Sequence, residues 1–359
     1  MKSTNNASAE NAAIDINPIP YLTWTWLKIN KDSVSYDFDL SENQGCEVQL
    51  AEGIKVSTGK TVTTQLPEPQ FSIGDQAAKL ISDAAPEGKI YTIEKSAEQP
   101  LIIRIKLDSN SATHQIIHAK AGTTANVIIV YESSADSSAL SGVITKVYAE
   151  DDTKLHISKV QLCAKTINQI DDTAVVCGER AKVSFTQIEL GASHINAGFH
   201  ATLEGYQSSF YSDTAYICQG NQYLDMNQVV VHKGKKTVCD MKTHGTAKDD
   251  TTKTYRGTID MVKGCAGSKG NEIETTLLLS PKAVVKAAPI ILCGEEDIAA
   301  EHGSTIGKLS NEMLFYMNSR GIDQKTAEEL LTNAKVTAAA ATIEDEEIKN
   351  EILEYLNGK

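Results

Sequence analysis

Seven cysteines and eight histidines are the side chains of this 359-residue chain whose chemistry could engage a metal ion or a sulfur atom. The cysteines are Cys46, Cys163, Cys177, Cys218, Cys239, Cys265 and Cys293. They are odd in number and widely spaced, and no Cys-x-x-Cys occurs. That pattern disfavours a disulfide framework and a zinc knuckle. Buried, reduced thiols are expected for most of them; a sulfur-accepting role for one is the minority alternative, and the spacing selects none. Among the histidines, His302 stands apart. It follows the acidic residues Glu295, Glu296, Asp297 and Glu301, within a stretch, Glu301-His302-Gly303-Ser304-Thr305, that reads as a turn before helical sequence. A neutral imidazole ligates iron, and carboxylates suit Fe(II) as harder partners. His302 and Glu301 are therefore the candidate metal ligands, against the alternative of a plain turn histidine. His114 and His118 are four apart but lie in strand-like sequence, which argues against a metal pair. His156 takes the outward position of an alternating strand and is expected to be a surface imidazole.

Other catalytic patterns fail on spacing. Gly53-Ile54-Lys55-Val56-Ser57-Thr58-Gly59-Lys60-Thr61 approaches a phosphate-binding loop but places five residues between its glycines where four are needed. Thr61-Val62-Thr63-Thr64 reads as strand rather than the required helix, so a tight turn at Gly59 is expected and no ATP binding. Gly-x-Gly-x-x-Gly, His-Glu-x-x-His and Gly-x-Ser-x-Gly are all missing from the sequence. The formal net charge of −13 excludes a basic nucleic-acid-binding face. No apolar run is long enough to span a bilayer. The start, Met1 to Asn6, carries no apolar stretch of a signal peptide, which points to a cytoplasmic protein with a frayed tail to about Asn17.

The elements that would position these residues are mostly strands. Ala125–Tyr131 is rich in β-branched residues, and Leu155–Ser158 and Val183–Thr186 alternate with period two. The segments DTKLHISKVQL and ERAKVSFTQIEL superpose with an offset of 28 residues, Leu155 on Val183, Ile157 on Phe185 and Val160 on Ile188. A degraded third copy surrounds Ser209–Ser212. Repeated strands with no helical period between them predict a solenoid in which each rung covers the next. The C-terminus changes period. Ser310 caps a predicted helix over Glu312–Arg320, stopped by Gly321. Asp323 caps a second, Gln324 to about Ala341, and a third spans about Glu344 to Leu356. Ile348, Ile352, Tyr355 and Leu356 form one apolar stripe on the last helix. It either packs on its own domain or docks a partner.

Residues 295–322 carry a resemblance. The ordered set His302, Gly303, Thr305, Gly307, Leu309, Phe315, Tyr316, Ser319, Arg320, Gly321 and Ile322 resembles the C-terminal signature of the SufB/SufD family of iron–sulfur cluster assembly scaffolds. Leu277–Ala283 is similar to the family's Leu-Leu-Leu-Ser-x-x-Ala run, and Pro20–Lys28 resembles the opening of SufD-like members. The stretch from His232 to Gly257 matches more loosely. The resemblance implies a right-handed parallel β-helix with a C-terminal α-helical domain and a small N-terminal region. Residues 1–85, 86–290 and 291–359 are the expected divisions. It implies pairing with a SufB-like subunit, or a second copy of this chain, along the solenoid edge. It also implies docking of a SufC-type ABC ATPase through the C-terminal region, where Phe315, Tyr316, Arg320, Ile348, Ile352, Tyr355 and Leu356 are the candidate contacts, and an indirect link to a cysteine desulfurase system. The cofactor implied is a transient iron–sulfur cluster shared at the interface, with His302 among its ligands.

Departures from the pattern select the branch. Thr275 stands about where the sulfur-accepting cysteine of SufB-type members belongs, and Gly303 replaces their glutamate after the histidine. Ala300 replaces the cysteine that many SufD proteins carry two residues before it. The chain thus resembles a SufD-like, non-catalytic scaffold rather than a SufB-like homodimer. The reading from another class is a β-helix enzyme or binding protein acting on acidic polysaccharide. Its weakness is an aromatic content of 6%, because sugars stack on exposed rings.

Overall fold

The computed structural model describes residues 13–21, 25–36 and 39–358. Five short strands open the chain: β1 (Ile14–Ile16), β2 (Asp32–Val34), β3 (Ser41–Glu42), β4 (Cys46–Gln49) and β5 (Ile54–Gly59). A helix, α1 (Asp75–Ala84), follows. Then come β6 (Gly88–Ile93), β7 (Leu101–Lys106), β8 (Ser111–Ala119), β9 (Thr124–Glu132), β10 (Leu140–Ala149), β11 (Lys154–Leu162), β12 (Asn168–Cys177) and β13 (Lys182–Glu189). The run continues with β14 (His194–Leu203), β15 (Ser209–Cys218), β16 (Tyr223–His232), β17 (Val238–Ala247), β18 (Thr252–Met261), β19 (Ser268–Leu278), β20 (Val284–Cys293) and β21 (Ile298–Gly307). Three helices, α2 (Asn311–Ser319), α3 (Gln324–Ala340) and α4 (Glu346–Leu356), close the chain.

From β6 onward, even-numbered strands stack in one sheet and odd-numbered strands in another, each pairing in parallel with the strand two before and two after it. The product is the expected β-helix, a β-solenoid of about eight turns. The 28-residue offset is its register: Leu155 pairs with Val183, Ile157 with Phe185 and Val160 with Ile188. The third copy is real as well, since Val183 pairs with Phe210. At the N-terminal end the ladders change sense. β5 joins β6 and β4 joins β7, both antiparallel, and cap the stack. At the other end β20 and β21 finish the two sheets, with no outer neighbour among the described residues.

Side chains pointing inward fill a narrow lumen. Phe185, Phe199 and Phe210 cluster with ring centroids 5.0–6.3 Å apart. Polar groups interrupt this apolar column. Lys159 Nζ lies 2.7 Å from Asp171, which also accepts the Tyr131 hydroxyl at 2.9 Å; all three are buried. Glu189 accepts a hydrogen bond from Gln187, and burial pushes its carboxyl up to about 8. Such groups are tolerated in an interior only when partnered or neutral.

Both outer faces are covered. The N-terminal arm and α1 lie on the ten-stranded sheet, with Ile16, Ile73, Ala77 and Ile81 against Ala112, Leu140, Ile144 and Ile170. The contact is close: a Cβ on Gly142 would come within 2.6 Å of Ile81. The arm is also tied by charge. Arg256 donates to Asp225 at 2.5 Å and to the Ile29 carbonyl at 2.6 Å, and Asn17 donates to the same Asp225 carboxylate. The expected frayed tail thus ends sooner, because Ile14–Ile16 pair with β2 and Asn17 is buried; residues 1–12 lie outside the described part. On the nine-stranded sheet, Val336, Ala339, Ala340, Ile343, Ile348 and Ile352 pack on Val130, Val160, Ile188, Leu190 and Ala215. Each buried isoleucine contributes about 1.5–3 kcal/mol through removal from water. Ser310, Asp323 and Asp345 cap the three helices, each accepting from the backbone N–H three residues on.

Two local expectations are corrected. Thr61–Thr64 form no strand; the strand is Ile54–Gly59, and the turn precedes it at Gly53, with φ of 85°. His156 is not a free surface imidazole. It is half-buried beside Thr186, whose hydroxyl meets Thr342 at the end of α3, and that cover lowers its pKa. Burial of Glu189 has a consequence for stability. Between its ordinary value of 4.5 and about 8, the folded chain keeps a proton that the unfolded chain releases, so stability falls as pH rises through that window. Glu189→Gln should raise the thermal midpoint at pH 8.5 and change it much less at pH 5. Equal shifts at both values, read by calorimetry, would contradict the buried-acid account.

Candidate functional site

The last rung of the solenoid holds the candidate residues. β21 pairs with β19 in parallel, placing Glu301 beside Asn271, His302 beside Glu272, Gly303 beside Ile273 and Ser304 beside Glu274. Successive side chains on a strand point to opposite faces, and register partners share a face. The face of each is fixed by its neighbours. The Ser304 hydroxyl donates to the buried Glu274 at 2.5 Å, and Ala300 packs on the lumen core, so even-numbered residues of β21 point inward. Asn271 donates to Asp240 on the outer face, so its register partner Glu301 points outward. His302 therefore sits mid-strand at the mouth of the lumen, not in a turn. Glu301, on the opposite face, does not close with it on one ion.

Behind His302 the lumen is charged. Lys253 Nζ lies 2.6 Å from Glu274, both side chains fully buried, and stands over the rings of Tyr216 and Tyr255 at 5.2 and 4.9 Å. Glu274 also accepts from the Thr276 hydroxyl, and the Tyr216 hydroxyl meets Thr276 at 2.6 Å. Glu272 is equally buried, with the Tyr255 hydroxyl as its polar neighbour. Burial pushes its carboxyl up to about 8, which the Tyr255 hydroxyl opposes and the Glu274 charge reinforces. Sequence reasoning missed Glu272, Glu274 and Lys253. Charged residues at period two look like a solvated face, and only the closed lumen shows the reverse.

The cysteines divide by burial. Cys163, Cys177, Cys218 and Cys239 are buried, and desolvation pushes their thiols up to about 12. Cys239 lies 3.2 Å from His232 Nε2, but burial lowers that imidazole to about 4, so the pair stays neutral. Cys293, at the end of β20, is exposed. His118 is held by Glu150 at 2.7 Å rather than paired with His114. Among the described residues no group of three metal-ligating side chains converges.

The candidate partner contacts also divide. Phe315 and Tyr316 on α2 are 76% and 58% exposed, with the Arg320 guanidinium 5.4 Å from the Tyr316 ring centre. Ile348 and Ile352 are fully buried against the chain's own sheet, and Tyr355 and Leu356 pack beside them. Ile348 and Ile352 are thus spent inside the molecule, while Tyr355 and Leu356 stay half-buried. Between α2, α3 and the outer face of the nine-stranded sheet runs a groove of about 560 Å³, lined by Thr275, Leu277, Met313 and Leu331. Thr275 therefore faces outward, away from His302. Within the resembling N-terminal motif, residues 22–24 lie outside the described part.

Residues 103–335, which include most of the solenoid and the terminal rung, match the SufBD core domain of the SUF system for Fe–S cluster assembly. The chain belongs to the SufBD family. A chloroplastic iron–sulfur cluster assembly SufBD family protein of Arabidopsis thaliana is 25% identical over 275 residues, 70% of this chain and 47% of that protein. The iron–sulfur cluster assembly protein SufD of Bacillus subtilis is 26% identical over 156 residues, 43% of this chain and 36% of SufD. SufD of Escherichia coli is 24% identical over 166 residues, 46% and 39% of the two. The matches thus span less than half the length of these relatives. Two of these three bear the SufD name, which supports a SufD-like member. Among the described residues no helix is long and apolar enough to cross a membrane.

The burial pattern predicts thiol reactivity. Iodoacetamide at pH 7.5 should modify Cys293 first, leaving Cys163, Cys177, Cys218 and Cys239 unlabelled until denaturant is added. Rapid native labelling of Cys239, read by peptide mass spectrometry, would contradict a closed lumen.

Proposed function

We propose that this SufBD-family protein is a non-catalytic, SufD-like scaffold subunit on which an iron–sulfur cluster is built as cargo. The observation that supports this best is the terminal rung. Among the described residues β20 and β21 have no outer strand neighbour, and β21 carries His302 at the mouth of a charged lumen. Unpaired edges of this kind pair readily with a strand from another chain. A SufB-like subunit, or a second copy of this chain, would continue the sheets across that edge. His302 would then face the partner and ligate the nascent cluster from one side, with the remaining ligands supplied across the interface.

The SufC-type ATPase is assigned to the α2 face. Phe315 and Tyr316 are large, exposed and adjacent to Arg320, the residue types that anchor interfaces. The stripe of α4 packs through Ile348 and Ile352 on the chain's own sheet. Its role is to hold α3 and α4 on the nine-stranded sheet, so that movement of α2 by an ATPase would act on a rigid scaffold.

Two outcomes are expected. Phe315→Ala with Tyr316→Ala should weaken capture of the ATPase by about 30-fold or more, the scale of a hot-spot loss of about 2 kcal/mol. The thermal midpoint should not change, because neither ring supports the fold. Undiminished capture would remove α2 from the interface. His302→Ala should leave partner copurification intact and sharply reduce the iron and sulfide content of the complex. A normal cluster yield would remove His302 from the site.

A further inference from the structure

Helix α3 packs closely on the sheet only over the earlier rungs, where Val336, Ala339 and Ala340 are buried. Leu331, Ala334, Lys335 and Ala338 recur at helical spacing and share one face of α3. Yet Leu331 and Lys335 are only half-buried, and both alanines are exposed. These four residues line one wall of the groove of about 560 Å³, with Met313 of α2 across from them. Its floor is the outer face of the last two odd-numbered strands, where Leu277 of β19 lies beside Gly307 of β21. A Cβ at Gly307 would meet nothing within 4 Å, so the missing side chain leaves the floor open. The volume falls within the range of about 300–1,000 Å³ usual for small-molecule sites.

The charge at this groove is positive, although the whole chain carries a formal net charge of −13. Lys335 lines it from α3, and the exposed Lys308 lines it from the segment before α2. Neither lysine has an ion-pair partner among the described residues. The one histidine at the groove, His244, is already held by Asp213 at 2.6 Å. Burial lowers the pKa of the Lys335 ammonium, which the Glu274 charge opposes. An ammonium drawn out of water without a counter-charge is costly, so this position favours an anion. The leucines, alanines and methionine beside it favour a hydrocarbon chain. At about 1.5 Å per residue, the wall from Leu331 to Ala338 is about 10 Å long, which suits a medium-chain tail.

We propose that the groove binds a medium-chain fatty acid, with its carboxylate on Lys335 and Lys308 and its tail between Leu277, Met313 and Leu331. Lys335 is the partly desolvated donor that fixes the head group, and Lys308 adds charge from the solvent side. Gly307 leaves the tail the room that a side chain would take. An occupant touches both Met313 and Leu331 and so braces α2 against α3. The site lies on the outer face of the solenoid, apart from the lumen and His302, and it does not depend on the scaffold reading.

The test is titration of the full chain with decanoate below its micelle-forming concentration, read by displacement of a dansylated fatty acid, with decanol as the uncharged comparison. The wild type should bind one decanoate at least about tenfold more tightly than decanol, the scale of a hydrogen bond to a charged group. Lys335→Met keeps the stem and removes the charge. It should bind decanoate and decanol alike and melt no lower than the wild type. Gly307→Phe, which fills the floor where a Cβ meets nothing, should bind neither and keep its thermal midpoint. If the wild type shows no saturable decanoate binding, the site is overturned. It is equally overturned if Lys335→Met keeps the preference for decanoate, or if Gly307→Phe binds as the wild type does. Binding to phosphatidylglycerol vesicles alone, without competition by monomeric decanoate, would assign the surface to a membrane and overturn the proposal as well.

Discussion

Parallel pairing between successive rungs is the constraint on which the molecule depends. A strand in such a ladder donates and accepts on both sides, and its inward side chains are covered only by the rungs before and after. The arrangement is self-consistent in the middle and fails at the ends. At the N-terminal end, β4 and β5 turn antiparallel and close the stack. At the C-terminal end, the described chain supplies no such cap for β20 and β21. The lumen mouth, the free edge and His302 coincide there because a stack with one cap has one open rung.

The buried charges reinforce this register. Lys159 with Asp171, Lys253 with Glu274 and Arg256 with Asp225 are three ion pairs with both partners nearly inaccessible. Apolar replacements of similar volume often stabilise a fold as well or better, so such pairs are weak evidence for stability as such. Their effect here is on alignment. A slip of one residue would reverse the facing of every side chain on a strand, turning Lys253 out of the lumen and leaving Glu274 alone inside it. Arg256 and Asp225 act on the outer face, where they also bind the N-terminal arm through Asn17 and the Ile29 carbonyl.

Sequence and structure agree where the repeat is regular and part where tertiary context decides. Leu155 and Val183 were legible as rung neighbours because their turns have the same length. The offset grows to 31 residues between Val238 and Lys269, which is why the later rungs carry no visible repeat. Helices α2, α3 and α4 were legible from Ser310, Asp323 and the apolar stripes. The placement of Ile348 and Ile352 was not, since one stripe serves an internal sheet or a partner equally well. Gly303 and Ser304 beside acidic residues look like a turn; the ladder of β19 draws them into a strand instead. Glu272 had no sequence signal at all, because a buried acid is visible only once the lumen is closed around it.

Hydrogen–deuterium exchange of β20 and β21, measured on the chain alone and after mixing with a SufB-like protein or at concentrations that favour a second copy, tests the open-rung account most directly. The account predicts fast exchange in 284–293 and 298–307 for the isolated chain, slow exchange in the preceding β18 and β19, and strong protection of the last rung in the complex. Equal protection of β19 and β21 in the isolated chain, or an unprotected β21 in the complex, would contradict it.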